Sequence, residues 1–253
     1  METQIERDFY RDKILQLDKP ITEKILRKYR SPWQFLRPLF WRLFGFVARH
    51  LTTKGSGLEN LPQRGPFIIA SNHSSSLDFG VVAWLLPPQI RKHIYVMAWE
   101  GFFKFPFFYV GWGIKIATNC FAMRGEGNYF KGLREAAQLL RLGRVVYFFP
   151  EGNRTQNGRL LPFKYGLGFL ATELGVPVVP VYIKGAFEAL RPGTIFLKKI
   201  PVRIYFGKPI SSKKPSNTSG LFQAELYQEF SNKIRAEIFK LQQQTPLLES
   251  KSS

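Results

Sequence analysis

The chain has 253 residues, a formal net charge of +19 and a sequence pI near 10.1, and 45% of its residues are hydrophobic. This length admits one generous domain, or one domain with an added terminal element, around a sizeable core. The charge predicts attraction to a polyanion (nucleic acid, an anionic membrane surface or an acidic substrate), while the lone Cys120 excludes an intrachain disulfide and a cysteine-based zinc site and is expected to be a small buried hydrophobe.

Residues 1–30 are highly charged and do not read as a secretory signal. Apolar residues at Ile14, Leu15, Ile21, Ile25 and Leu26 predict helix there, with a break at Pro20. No stretch holds the 18 or more uninterrupted apolar residues of a usual membrane span, and 31–51 is broken by Arg37, Arg42 and Arg49. Membrane contact would therefore lie on the bilayer or dip into it. Trp33, Leu36, Phe40, Phe44, Val47 and Leu51 recur three or four residues apart and predict one bulky apolar helical face. Pro38 kinks this helix or delays its start. From Lys24 to Leu58 there is no acidic residue. Aromatic rings interleaved with arginine are what an interfacial helix needs, rings in the acyl boundary and guanidinium groups at lipid phosphates. The alternative is a helix packed on the protein's own core with a solvated basic face. Residues 1–54 are read as an N-terminal helical, membrane-contacting element.

Beyond Gly55-Ser56-Gly57 the pattern changes. Strands are predicted at Phe67–Ala70, His93–Met97, Val145–Phe149, Val178–Ile183 and Val202–Phe206. Helices are predicted at Phe79–Leu86, Tyr129–Leu142, Leu167–Leu174 and Leu221–Gln242. The alternation gives an α/β class, with the domain over 55–245 and a flexible tail over 246–253. A second acid-free stretch, Ala189 to Ala224, carries Arg191, Lys198, Lys199, Arg203, Lys208, Lys213 and Lys214. It is either another anion-facing edge or a solvated face.

Four segments can carry chemistry. The first, Ser71-Asn72-His73-Ser74-Ser75-Ser76-Leu77-Asp78, follows a predicted strand. On one regular helix His73 and Asp78 would diverge by about 140°. They meet only if His73 lies in the turn and Asp78 at the helix start, with the serines as N-cap candidates. Asp78 would then hold one imidazole nitrogen, leaving the other free to take a proton from a hydroxyl. A capping histidine beside a first-turn aspartate is the plainer reading. The second, Phe148 to Thr155, has Pro150 and Gly152 to force a turn, backbone amides for an anion, and Arg154 as a planar fork suited to phosphate; its plainer reading is a charged turn with a Glu–Arg pair. The third is Phe121-Ala122-Met123-Arg124. The fourth, Gly175 to Tyr182, places two prolines beside a strand and suggests an edge or irregular strand. The aromatic stretch Phe102 to Trp112 either lines an acyl channel, touches lipid or is ordinary core.

In this order and spacing, from about Gly57 to about Phe206, the four segments resemble the 1-acylglycerol-3-phosphate acyltransferase family of glycerolipid acyltransferases. The Asn-His-x-x-x-x-Asp and Phe-Pro-Glu-Gly-x-Arg blocks carry the resemblance together. It implies an acyltransferase-like mixed sheet flanked by helices. It also implies an acyl-CoA or acyl-carrier-protein co-substrate, no cofactor, and a lysophospholipid acceptor converted to phosphatidic acid. By the same resemblance His73 is the general base and Asp78 its orienting partner; Glu151, Gly152 and Arg154 fall in the acceptor-binding block, and Arg124 adds a phosphate contact. Anionic membrane lipids are the expected partners, at the cytoplasmic face of a membrane. Three positions depart from the family: Met123 where aspartate is frequent, no lysine between Val96 and Gly101, and Asn153 where threonine or serine is usual. These bear on the acceptor headgroup, so another lysolipid or a lyso-aminolipid stays open.

No Gly-x-Ser-x-Gly elbow is present, so transfer is expected to be direct. A non-catalytic lipid-binding or nucleic-acid-binding basic protein would explain the charge but not the two blocks. A metal hydrolase would have only His50, His73 and His93 to draw on.

Overall fold

The computed structural model describes residues 24–29, 34–99, 119–123, 129–212 and 220–250. The expectations for 1–23, Trp33, 102–112 and Arg124, and for the side chain of Cys120, fall outside the described residues. Among the described residues seven strands form one sheet: β1 (Lys54–Ser56), β2 (Phe67–Ser71), β3 (Ile94–Trp99), β4 (Asn119–Met123), β5 (Val145–Phe148), β6 (Val178–Lys184) and β7 (Arg203–Phe206), in the order β1-β7-β6-β2-β5-β3-β4. The strands from β6 to β4 are mutually parallel; β7 runs antiparallel to β6 and carries β1 alongside it. The helices are α1 (Lys24–Tyr29), α2 (Arg37–His50), α3 (Asp78–Leu85), α4 (Pro88–Arg91), α5 (Tyr129–Arg141), α6 (Gly166–Leu174), α7 (Ala186–Ala189) and α8 (Gly220–Ser250). The last passes the expected boundary at 246.

Period-two alternation divides the core into two layers. Ile68, Ala70, Val146, Phe148 and Val178 face α5, α6 and α8 on one side. Phe67, Ile69, Val145, Tyr147, Val179 and Val181 face α2, α3 and α7 on the other. β2 is buried on both faces, which is why Phe67-Ile68-Ile69-Ala70 is a continuous apolar run. Two strands went unanticipated. β1 is Lys-Gly-Ser, with no apolar signal; β4 sits at the opposite end of the sheet. The two-proline segment is not an edge, since β6 lies between β7 and β2. Pro180 is tolerated because it lies just past the last β7 pair, Val181–Phe206, and its carbonyl accepts the Gly207 N–H at 2.8 Å. Its missing N–H therefore removes no bond from that ladder.

Pro38 delays the helix rather than kinking it: a 3₁₀ turn at Gln34–Leu36 precedes α2, and the proline falls in its first turn. Of the stripe expected to face lipid, Phe44, Val47 and Leu51 pack on the protein's own core, and Phe44 lies against Gly80, where a Cβ would come within 2.7 Å of its ring. A second stripe, Phe35, Leu39, Leu43 and Phe46, is the exposed one. The helix has two apolar sides, and the sheet recruits one of them.

Across the other layer α8 crosses α6 at Gly168, whose N–H donates to Ser231 Oγ at 2.9 Å. A Cβ on Gly168 would lie 1.9 Å from the Tyr227 carbonyl oxygen, which belongs to the α8 backbone and cannot swing aside. Gly168→Ala is expected to cost about 3 kcal/mol, roughly 6–12 °C of melting temperature in a domain of this size, measured by thermal unfolding.

Candidate active site

β2 and β5 are parallel neighbours, with Ala70 paired to Phe148. The two motif loops therefore leave the same edge of the sheet side by side, at the carboxyl ends of its strands, where α/β folds place their ligands. At the end of β2 the Asn72 amide takes over from the ladder. It donates to the Ile183 carbonyl at 3.0 Å and accepts the Ile183 N–H at 2.8 Å, clipping the loop to β6. Beneath it Ser71 Oγ meets the buried Tyr147 hydroxyl at 2.7 Å.

His73 lies in the turn and Asp78 is the first residue of α3, the arrangement that their spacing requires. Asp78 is fully buried. Its Oδ2 accepts the Ser74 N–H at 2.6 Å and the Ser75 N–H at 2.8 Å, and stands 3.0 Å from His73 Nδ1. An acceptor there assigns the proton to Nδ1 and leaves Nε2 as the basic nitrogen. The imidazole stacks on Phe149 with ring centroids 3.7 Å apart, and its side chain keeps 21% of its surface open. The serines are not N-caps: Leu77 occupies that position with no side-chain cap bond. The backward reach of Asp78 takes the Ser74 and Ser75 N–H groups instead. Ser75 Oγ donates to the Leu190 carbonyl at 2.7 Å.

The second loop grips the first. Glu151 Oε1 accepts the His73 N–H at 2.7 Å, its Oε2 accepts the Leu161 N–H at 2.8 Å, and the Thr155 N–H donates to the His73 carbonyl at 2.9 Å. Glu151 is 4% exposed. Its carboxylate is thus turned inward onto the histidine loop rather than toward an acceptor, because buried backbone N–H groups claim both oxygens. Gly152 likewise spends its N–H on the Phe149 carbonyl, at 3.1 Å, and supplies a φ of +76° that turns the chain. Arg154 reaches the first loop, donating from a guanidinium nitrogen to Ser76 Oγ at 2.7 Å. Arg124 lies outside the described residues.

Three contributors escaped the sequence reading. Thr155 and Phe149 act through a backbone bond and a ring face, which carry no composition signal. Lys164, exposed, lays its side chain over the Gly152 turn, its Nζ 2.9 Å from where a Cβ of Gly152 would stand. Only the fold brings that cation beside the Glu151–Arg154 turn.

The chain matches the Acyltransferase family over residues 53–184 and belongs to that family. It is 35% identical, over 190 residues, to a chloroplastic 1-acyl-sn-glycerol-3-phosphate acyltransferase of Brassica napus; the match takes in 74% of this chain and 53% of that one. It is 34% identical over 196 residues to taffazin of Dictyostelium discoideum, 67% of this chain and 65% of that one. The chain thus spans between about half and two thirds of the length of these relatives. Its fold is that of the 1-acyl-sn-glycerophosphate (LPA) acyltransferase PlsC from Thermotoga maritima, with a TM-score of 0.59, 23% sequence identity, and coverage of 93% of this chain and 94% of that one.

Burial pushes the Glu151 carboxyl up to about 7 from its usual 4.5, against the pull of the Leu161 and His73 N–H bonds. A raised carboxyl pKa means that the folded state holds the proton more tightly. Its contribution to stability is full below about 4.5 and is lost as pH rises through about 7. The protein is expected to melt higher at pH 5 than at pH 8. In Glu151→Gln, which cannot ionise, that difference should narrow in thermal unfolding across the same range.

Proposed function

We propose that this chain transfers a fatty acyl group from acyl-CoA or acyl-carrier protein to the free hydroxyl of 1-acylglycerol-3-phosphate, giving phosphatidic acid. The observation that carries this reading is the His73–Asp78 pair, with Nδ1 held at 3.0 Å and Nε2 left basic beside the Phe149–Arg154 turn. His73 Nε2 removes the proton from the acceptor hydroxyl as that oxygen attacks the thioester carbonyl. The C–O bond forms and the C–S bond breaks. The proton held by the imidazolium passes to the departing thiolate, which restores the base. Direct transfer needs no enzyme nucleophile and no cofactor.

Arg154 and Lys164 flank the Gly152 turn and are the described cations best placed for an acceptor phosphate. Glu151, Thr155 and Phe149 hold the histidine in position. The exposed stripe of α2, with Arg42 and Arg49 on the same helix, supports docking on an anionic leaflet, with the cytoplasmic face as the expected side. No helix among the described residues is long and apolar enough to cross a membrane. A second headgroup reading, another lysolipid or a lyso-aminolipid, is favoured by Asn153 and Met123 at positions where the family pattern differs.

The test is release of free CoA from palmitoyl-CoA with and without 1-acylglycerol-3-phosphate. Acceptor-dependent release is expected, with turnover lower by about 10²–10⁴-fold in a folded His73→Ala protein. Normal turnover in that variant would sink the mechanism, and release with other lysolipids alone would reassign the headgroup. Absence of release with CoA donors calls for the same assay with acyl-carrier protein. Arg154→Ala and Lys164→Ala are each expected to raise KM for the phosphate-bearing acceptor more than they lower kcat. A fall in kcat at constant KM would contradict the phosphate role.

A further inference from the structure

The chain from Arg191 to Lys199 has no part in the chemistry above, yet it is built in an unusual way. Ile195 and Phe196 are each 78% exposed and Leu197 is 37% exposed, three consecutive bulky apolar residues in water. Arg191, Lys198 and Lys199 flank them and are exposed too, within a stretch from Ala189 to Ala224 that contains no acidic residue.

The base of this projection is tied down. The Lys198 N–H donates to the Ala189 carbonyl at 2.8 Å, closing the loop, and the Thr194 N–H donates to the Arg191 carbonyl at 3.1 Å. Gly193 turns the chain with φ +81°. One anchor reaches the site: Ser75 Oγ donates to the Leu190 carbonyl, while the Ser75 N–H holds the carboxylate that orients His73.

We propose that this loop is a membrane wedge. Ile195, Phe196 and Leu197 enter the acyl boundary of an anionic phospholipid leaflet, and Arg191, Lys198 and Lys199 sit at its phosphates. The proposal rests on the reading of a lipid acceptor, which makes a leaflet the source of substrate. Apolar residues at a tip flanked in sequence by Arg191, Lys198 and Lys199 match a surface that is apolar inside and anionic outside, with Glu188 at the loop's base as the nearest acid in sequence. The same pairing appears on α2, where Leu39, Leu43 and Phe46 are exposed beside Arg42 and Arg49. α2 and the loop's base cover the same sheet layer: Trp41, Phe44 and Val47 pack on it from the helix, Ala189 and Ile200 from the loop. The base of the loop, at Leu190, is one hydrogen bond from the turn that carries His73.

The test uses the full chain and two double variants, Ile195→Ser with Phe196→Ser, and Lys198→Glu with Lys199→Glu, each checked for unchanged melting. Co-sedimentation is measured with vesicles of phosphatidylcholine alone and of phosphatidylcholine with phosphatidylglycerol. The serine pair is expected to lower partitioning to the mixed vesicles by at least about tenfold. The glutamate pair is expected to do the same at low salt, with the difference fading at high salt. Transfer to vesicle-borne acceptor should fall in step, while transfer to a short-chain acceptor below its micelle concentration stays at the unsubstituted rate. Unchanged vesicle binding in folded variants overturns the wedge, whatever the transferase assay shows. If the variants instead abolish self-association of the parent chain in sedimentation velocity and leave vesicle binding intact, the tip serves a second copy and the proposal is also overturned. Vesicle binding is read without catalysis, so a chain with no transferase activity would refute the proposed function and leave this result standing.

Discussion

Everything in the site hangs on how the backbone of His73 is held. Its N–H is taken by Glu151 Oε1 at 2.7 Å and its carbonyl by the Thr155 N–H at 2.9 Å, so one loop grips the other on both sides of a single residue. A side chain can be aimed only as well as its own Cα is fixed. With the backbone clamped, the 3.0 Å contact to Asp78 and the stacked ring of Phe149 suffice to set the imidazole plane and its tautomer. The clamp has an electrostatic cost. It needs an acceptor with two oxygens in a nearly dry place, and desolvation there brings the Glu151 carboxyl near neutrality. Two backbone N–H groups would be left unpaired without it, at about 1–3 kcal/mol each.

The sheet makes this clamp feasible. Because β2 and β5 are parallel neighbours, the loops that follow them start about one strand spacing apart, roughly 4.8 Å. The side chains then need only short reaches. Asn72 extends the same logic to β6 by imitating a peptide group where the ladder has ended. Asp78 shows what a buried charge requires: it carries several hydrogen bonds, with backbone donors at 2.6 and 2.8 Å. The two loops are thus held largely by side chains bonded to backbone groups.

Much of this was readable in the chain. The strands β2, β3, β5, β6 and β7 and the helices α3, α5, α6 and α8 came from apolar runs and periodicity, with bounds shifted by a residue or two in most cases. The His73–Asp78 geometry followed from an angle: five residues on one helix diverge, so one of the pair had to sit in the turn. The roles of Glu151 and Gly152 were not readable in this way. A carboxylate and a glycine beside an arginine look like an anion site, whereas burial turns the carboxylate inward. Nor did the proline pair reveal a central strand, since the ladder with β7 begins only at Val181, one residue beyond Pro180.

The α/β alternation, the two blocks, the basic character and the approximate bounds of most main elements were legible in the amino-acid sequence. These depend on near neighbours: a strand's period of two, a helix's period of 3.6, a turn's need for glycine or proline. The tertiary structure alone decided which apolar side of α2 faces the core, which residue grips His73, that Lys164 stands over the Gly152 turn, and that Ile195 to Leu197 are left in water. Each of these is a question of which surfaces meet after the sheet is assembled. An apolar residue in sequence is the same residue whether it ends up covered or bare; only the packing of distant elements makes the difference.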